Sequence, residues 1–182
     1  MRIGIGMDDT ICRTTEIVHE KLEEYSKKIG LNPLDIMNDE MLKDIFFDTY
    51  LEEIYDRAIV KRNVKDVIRR LRNKGNEIYL ITARTNISRK EPYNIYSIIQ
   101  KWLDKNDIEV DAVVSSAYGE EKAEVCKRYD IDLMIDDNPY NYKKIIESGR
   151  RCLLFDDRGK YELRKDYATN WLDVEKYIER NR

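Results

Sequence analysis

Histidine is nearly absent from this chain: His19 is the single one in 182 residues. That count removes histidine-clustered metal sites and most histidine-dependent triads. His19 itself stands in TTEIVHEKLEEYSKK, among charged residues, where a solvated helix position is expected. Cysteine is scarce too. Cys12, Cys126 and Cys152 are odd in number, widely spaced and set in apolar surroundings. They read as reduced core residues of a cytoplasmic protein, against a disulfide frame or a zinc knuckle. No apolar run approaches the roughly 20 residues that span a bilayer, so no membrane partner is expected. MRIGIG also opens with neither the long apolar region nor the small-residue cleavage site of an export signal. A basic excess is missing as well: 33 Lys and Arg face 36 Asp and Glu, a net charge of -3. That balance argues against a nucleic-acid partner, whose footprint would be basic. Any chemistry here falls to carboxylates, hydroxyls and lysines.

What is present is enough for one core domain. Hydrophobic residues make up 42% of the chain and charged residues 38%, which suits a single core with a small insertion. Apolar runs of strand length stand at RIGIGM (2–7), EIYLITA (77–83), DAVVSS (111–116), DLMID (132–136) and RCLLFD (151–156). Between them the period shifts to about 3.6. In NVKDVIRRLRNKG, Val64, Val67, Ile68 and Leu71 share a face, with Asn63 as cap and Gly75 as terminator. In NPYNYKKIIESG, Asn138 caps, Pro139 takes the first helical position and Gly149 ends the helix. KEPYNIYSIIQKWLDKN, GEEKAEVCKRYD and WLDVEKYIERN read as further helices.

Strands alternating with helices predict an α/β fold with a mainly parallel sheet covered on both faces. One stretch breaks the rhythm. Between the first strand and the helix at 63 there is no strand candidate. TTEIVHEKLEEYSKKIG, with Val18, Leu22, Tyr25 and Ile29 on one face, and NDEMLKDIFFDTYLEEIYDRAI predict an all-helical insertion. Residues 1–12 and 63–182 are then the core and 13–62 a helical cap. Repeats, low-complexity tracts and Ser/Gly linkers are missing, so the insertion is expected to pack on the core.

Ligands of open parallel sheets bind beyond the carboxyl ends of the strands. The informative residues are therefore those where the apolar runs stop. They are Asp8, Asp9 and Thr10; Thr82, followed by Arg84; Ser115 and Ser116, six residues ahead of Lys122; and Asp136 with Asp137. Clustered carboxylates repel one another unless a hard dication sits among them, and oxygen-only ligation suits Mg2+. A phosphate could then lie between metal, hydroxyl and lysine, with a neighbouring carboxylate to protonate a leaving alkoxide. Any one of these residues has an ordinary structural explanation. Four such elements in order at four strand ends are harder to ascribe to chance.

IGIGMDDTIC, LITART, Lys122 in EEKAEVCKRY, and LMIDDNP resemble motifs one to four of the haloacid dehalogenase superfamily of phosphohydrolases. The likeness covers nearly the whole chain. The insertion is similar to that superfamily's small helical cap, and NWLDVEKYI resembles the end of its deoxyribonucleotidase-like members. The resemblance implies a Rossmann-like sheet with a mobile cap and an aspartyl-phosphate intermediate. It implies Asp8 as acid and base and as a metal ligand through its carbonyl, Thr82 as the hydroxyl and Lys122 as the charge-offsetting lysine. Asp136 and Asp137 would be the acids that bind Mg2+.

By the same pattern the nucleophile should stand two residues before Asp8. Gly6 stands there, and it has no side chain with which to attack phosphorus. Taking Asp8 as nucleophile puts Thr10 in the acid/base position, where a hydroxyl without a histidine is a poor proton donor. Nor is GIGMDD a dinucleotide fingerprint, since its sixth residue is Asp9. Gly6 is a substitution, a natural loss that leaves a phosphate-binding pseudoenzyme, or a route by direct water attack with Asp8 as base. The expectation is an Mg2+-dependent phosphatase architecture, impaired at its nucleophile. Its partner would be a small phosphorylated molecule, nucleoside monophosphates included, bound with help from Thr10 and Arg84.

A non-catalytic module that binds a phosphorylated ligand or a partner through its cap is the rival. A receiver-like domain is disfavoured, because neither LITART nor DAVVSS ends in an acceptor aspartate. Phe46, Phe47, Tyr50 and Tyr55 of the insertion could stack on a base, though their helical spacing equally suits packing. The sequence leaves oligomeric state open.

Overall fold

The computed structural model describes residues 1–84, 94–116, 121–161 and 165–181. Strand β1 (Arg2–Gly6) opens the chain and a short β2 (Cys12–Arg13) follows the turn at its end. Helices α1 (Thr15–Ile29), α2 (Pro33–Asn38) and α3 (Glu40–Arg57) come next, followed by β3 (Ile59–Val60). The remainder alternates: α4 (Val64–Asn73), β4 (Glu77–Thr82), α5 (Ile95–Asn106), β5 (Ala112–Ser115), α6 (Lys122–Arg128) and β6 (Leu133–Asp136). Helix α7 (Pro139–Glu147), β7 (Arg151–Phe155), β8 (Tyr167–Ala168) and α8 (Trp171–Arg180) complete it.

The large sheet runs β5-β4-β1-β6-β7-β8, and every neighbouring pair is parallel. Parallel neighbours need crossover connections, so both faces of the sheet are buried and its strands are apolar at successive positions. On one face Ile3, Ile5, Leu80 and Ile135 pack with Val64, Val67, Ile68 and Leu71 of α4, and with α5 and α8. On the other, Ile81, Val114, Met134 and Cys152 meet Val125 and Cys126 of α6 and Ile145 of α7. Gly4 lets neighbouring side chains close over β1: a Cβ there would lie 2.7 Å from Met134 Sδ and 3.0 Å from Ile81 Cδ1, so they would have to shift. The three cysteines are buried and unpaired, and His19 is exposed, as their sequence contexts predict.

The insertion has a core of its own, built from Leu22 and Tyr25 of α1, Ile36 of α2, and Phe46 and Ile54 of α3. Helix α3 also turns Leu51 and Tyr55 into the main core. Lys101 and Lys105 of α5 pair with Glu52 and Asp56 of α3, each at 3.2 Å. The buried Trp102 Nε1 donates to the Ala58 carbonyl at 2.9 Å. The insertion is thus seated along α5. No helix among the described residues is long and apolar enough to cross a membrane.

Some expectations are corrected. The stretch before residue 63 does contain strands: β2 and β3 pair antiparallel, Cys12 with Val60 and Arg13 with Ile59, at the foot of the insertion. Two residues per strand are too few to show a period of two. Strand β8 escaped notice for the same reason. Asn63 does not cap α4: it sits in the left-handed region (φ 67) and its side chain makes no capping bond. Asn138 does cap α7, accepting from the Tyr140 N–H, and Gly149 (φ 81) follows its end. Helix α5 starts at Ile95, with Asn94 accepting from the Ser97 N–H at 2.9 Å. The helix expected from Lys90 thus has its first residues, 90–93, outside the described residues. Likewise Gly119 and Glu120, expected to begin the helix that starts at Lys122, fall outside them.

Candidate active site

The sheet order reverses beside β1, with β4 and β5 to one side and β6, β7 and β8 to the other. A crevice forms at the carboxyl ends at such a switch point. The register sets Gly6 opposite Ile81, so Thr82 lies one step beyond it, and Ile5 opposite Ile135, one residue before Asp136.

After Gly6 the chain turns sharply. The Ile11 N–H reaches the Met7 carbonyl at 3.2 Å. Asp9 takes a left-handed conformation (φ 50), which aspartate tolerates better than most residues. The turn is pinned from far away in sequence, where the buried Trp171 Nε1 of α8 donates to the Thr10 carbonyl at 3.0 Å. Thr10 is fully buried and its hydroxyl donates to Asp137 Oδ1 at 3.1 Å.

Four of the expected residues form one tight group around the missing side chain of Gly6. A Cβ on Gly6 would stand 2.7 Å from Thr10 Oγ1, 3.1 Å from Asp136 Oδ2 and 3.4 Å from Lys122 Nζ. Lys122 and Asp136 are joined directly, ammonium to Oδ2, at 2.5 Å. The other Asp136 oxygen accepts from the Asn138 N–H at 3.0 Å and from Asn141 Nδ2 at 2.9 Å. Burial pushes the Lys122 ammonium down, but the charge of Asp136 overrides it and holds the group above its ordinary value. Asp137 completes the group, and burial, then the charge of Asp136, pushes its carboxyl up to about 7.

Asp8 and Arg84 form a second group on the side of the insertion. The Tyr55 hydroxyl of α3 donates to both Asp8 oxygens, at 3.1 and 3.2 Å. Arg84 Nε lies 3.4 Å from Asp8 Oδ2 as an ion pair, without the alignment of a hydrogen bond. Its guanidinium rests over the Phe47 ring, 3.8 Å from the centroid. Burial and then the charge of Asp8 raise the Tyr55 phenol well above its ordinary value, which keeps it a donor. Thr82 is buried and closes its own turn, accepting from the Arg84 N–H at 3.1 Å. Ser115 donates to the Arg84 carbonyl at 2.5 Å.

A third set lies outside the motifs. Asp156 and Asp157 follow β7, beside a pocket of about 50 Å3 that Asp137 also lines. Asp157 pairs with Lys61 at 2.8 Å and with Arg13 at 2.9 Å, fastening the β2–β3 ribbon to the core. Asp156 accepts from the Arg158 and Tyr161 N–H groups and the Tyr167 hydroxyl. The sequence does not single out Asp156; the acidic end of RCLLFD is the local signal that could have found it, but its Tyr161 and Tyr167 partners lie further along the chain. Tyr55 stood out only as one of several aromatics, and nothing local tells that its hydroxyl meets Asp8.

The donors suit a hard dication in kind, since all are oxygens. Asp137, a largely buried carboxylate whose proton affinity is raised toward neutrality, is in the condition that a cation would relieve. Among the described residues, no three acidic, histidine or cysteine side chains converge as a metal group. The Asp8 carboxylate is engaged by Tyr55 and Arg84. The donors that the resemblance assigns to Mg2+, the Asp136 and Asp137 carboxylates and the Asp8 main-chain carbonyl, are all oxygens and suit the ion in kind.

This architecture has many counterparts. A predicted phosphatase from Clostridium acetobutylicum matches with a TM-score of 0.75 at 12% identity, covering 98% of both chains. The haloacid dehalogenase-like hydrolase SP0104 of Streptococcus pneumoniae matches with a TM-score of 0.73 at 15% identity, covering 97% of both. A haloacid dehalogenase phosphatase from Thermococcus onnurineus gives 0.64 at 13% identity, again covering 97% of both. The fold is thus the Rossmann-like α/β fold of the haloacid dehalogenase hydrolases. In sequence, the chain is 26% identical over 191 residues to the Oceanobacillus iheyensis protein named "Putative nucleotidase OB0422", covering 95% of this chain and 96% of that one. No protein-family model matches the chain.

Proposed function

We propose that this chain is a Mg2+-dependent phosphohydrolase of the haloacid dehalogenase type, acting on small phosphate monoesters of the nucleoside monophosphate class. In the present form Gly6 leaves it slow or silent. One observation carries the reading: Thr10, Lys122 and Asp136 all lie within 3.4 Å of where a Cβ on Gly6 would stand. A site organised around a side chain that is missing is what a lost nucleophile leaves behind. The name of the Oceanobacillus iheyensis relative supports the nucleotide class.

In this reading Lys122 offsets phosphoryl charge, the Thr82 hydroxyl donates to a phosphate oxygen, and Asp8 moves the proton. Tyr55 and Arg84 hold Asp8 in place. Asp136, Asp137 and the Asp8 carbonyl hold Mg2+, which when bound supplies positive charge against the phosphate. With no carboxylate at position 6, no aspartyl-phosphate can form, and direct attack by water is left, with Asp8 taking its proton. Losing a covalent nucleophile costs roughly 5 kcal/mol or more of barrier. The insertion, residues 13–62, acts as the cap that selects the alcohol portion, through Phe47 and the Arg84 stacked on it.

The glycine at position 6 favours a second reading, a phospholigand-binding pseudoenzyme, because Lys122 and Thr10 surround a position that carries no group able to attack phosphorus. Thermal shifts with Mg2+ and a panel of nucleoside monophosphates and sugar phosphates test the class. A rise in Tm confined to nucleotides supports it, and equal or no shifts across the panel contradict it.

A further inference from the structure

Arg57 and Arg70 show how a guanidinium fork is filled in this chain. Arg57 grips Glu20 with two nitrogens, both at 2.7 Å. Arg70 grips Glu175 in the same way, at 2.8 and 2.7 Å. Arg84, at the candidate site, differs. Its Nε is shut from water and has no hydrogen-bond acceptor, and Asp8 Oδ2, 3.4 Å away, is an ion-pair partner only. A buried donor left unsatisfied costs free energy and calls for an explanation.

Asp8 does not depend on Arg84 for its own hydrogen bonds, because both its oxygens accept from the Tyr55 hydroxyl. The guanidinium is oriented, meanwhile, by the Phe47 ring 3.8 Å from it. Its side chain keeps 25% exposure, and since Nε is buried that exposure belongs to the rest of the side chain. An oriented, partly open guanidinium with an unfilled fork is a ready receptor for two oxygens of one carboxylate or phosphate. The transferred phosphate belongs with Lys122 and Thr10 around Gly6, whereas Arg84 stands with Asp8 on the side of the insertion. In the proposed reaction Asp8 serves the leaving oxygen, so Arg84 meets the alcohol portion.

We propose that Arg84 is a specificity residue that grips a second oxyanion, a carboxylate or a further phosphate, carried by the alcohol portion of the substrate. The inference rests on the proposed phosphohydrolase reading and deepens it by naming a feature the substrate must have. Among nucleotides, it selects a nucleoside bisphosphate over a monophosphate.

Calorimetric titration of the full chain in Mg2+ with two matched pairs of ligands tests this. One pair is adenosine 3',5'-bisphosphate and AMP. The other is 3-phosphoglycerate and glycerol 3-phosphate, which differ by a carboxylate in place of a hydroxymethyl group. Comparing the members of a pair cancels damage to the fold, which weakens both alike. The member with the second oxyanion should bind about tenfold or more tightly than its mate in at least one pair. Arg84→Met should cut that preference below about threefold. Arg84→Lys, which keeps the charge and loses the fork, should lose most of it. A preference in the bisphosphate pair supports the inference within the nucleotide class. A preference in the glycerate pair alone supports it and removes that class. No preference in either pair, or one that survives in Arg84→Met, overturns the inference and leaves the phosphohydrolase reading in place. If Arg84→Met does not fold, Arg84→Lys decides, and an undiminished preference there overturns it. Failure of the parent to bind any of these ligands rejects both the inference and the reading beneath it.

Discussion

The Tyr55 hydroxyl, carried by a helix of the insertion, donates to both carboxylate oxygens of Asp8 at the tip of the central strand. It ties the insertion to the residue proposed to move the proton. A hydrogen bond to a charged acceptor contributes about 1.5–3 kcal/mol. Tyr55→Phe should therefore lower the stability of the folded chain by about 1–2 kcal/mol, since Arg84 still faces Asp8. Urea unfolding monitored by fluorescence checks it, and an unchanged midpoint would show that the contact contributes nothing.

Position 6 bears on stability as well as on chemistry. An aspartate there brings a negative charge beside Asp136 and crowds Thr10 Oγ1 at 2.7 Å. The buried Thr10, whose hydroxyl is tied to Asp137, must shift to admit it, which adds to the cost; against this the aspartate gains about 0.5–1 kcal/mol over glycine from chain entropy. The charge term is expected to win, leaving Gly6→Asp less stable than the parent in EDTA by about 1 kcal/mol. Melting curves in EDTA with the reverse order would contradict this.

Asp137 makes stability depend on pH. Its carboxyl is pushed up to about 7 from an ordinary value near 3.8. Between those values the folded chain holds a proton that the unfolded chain has released, so raising the pH through this window weakens folding. Asp137→Asn cannot lose that proton. In EDTA, the variant should gain on the parent between pH 4 and pH 8, by on the order of 2 kcal/mol. Denaturation curves whose separation is the same at both ends would exclude the effect.

The insertion has a small core, with the fully buried Phe46 at its centre. Its ring centroid lies 5.0–5.9 Å from those of Phe47, Tyr50 and Tyr25. Phe46→Ala should cost about 3–5 kcal/mol. Because Leu51 and Tyr55 of the same helix belong to the main core, the loss should appear in the whole transition. Hydrogen exchange that accelerates only in α1 and α2 would instead show an independently unfolding cap.

The sheet and the strand tips were legible because the signals are local. Five apolar runs gave five strands of the sheet, and Asn138-Pro139 and Gly149 marked the ends of a helix through the conformations those residues prefer. Asp8, Thr82, Lys122 and Asp136 could be singled out because the end of a parallel strand is where polar residues meet. Contacts across the fold were not legible. Tyr55 on Asp8 and Trp171 on the Thr10 carbonyl join residues 47 and 161 positions apart. The Asn63 cap failed because the turn between β3 and α4 puts that residue in the left-handed region, a backbone conformation that the cap signal does not reveal. Nor could Lys122 be seen to rest on Asp136, since the contact depends on how α6 is set against β6.

Phosphate release with Mg2+, by the parent chain and by Gly6→Asp on a panel of nucleoside monophosphates and a generic aryl phosphate, tests the central claim most directly. The account predicts turnover by Gly6→Asp at least about a thousandfold faster than by the parent, the scale of a restored nucleophile. Equal rates in the two forms, or no turnover by either, would contradict it.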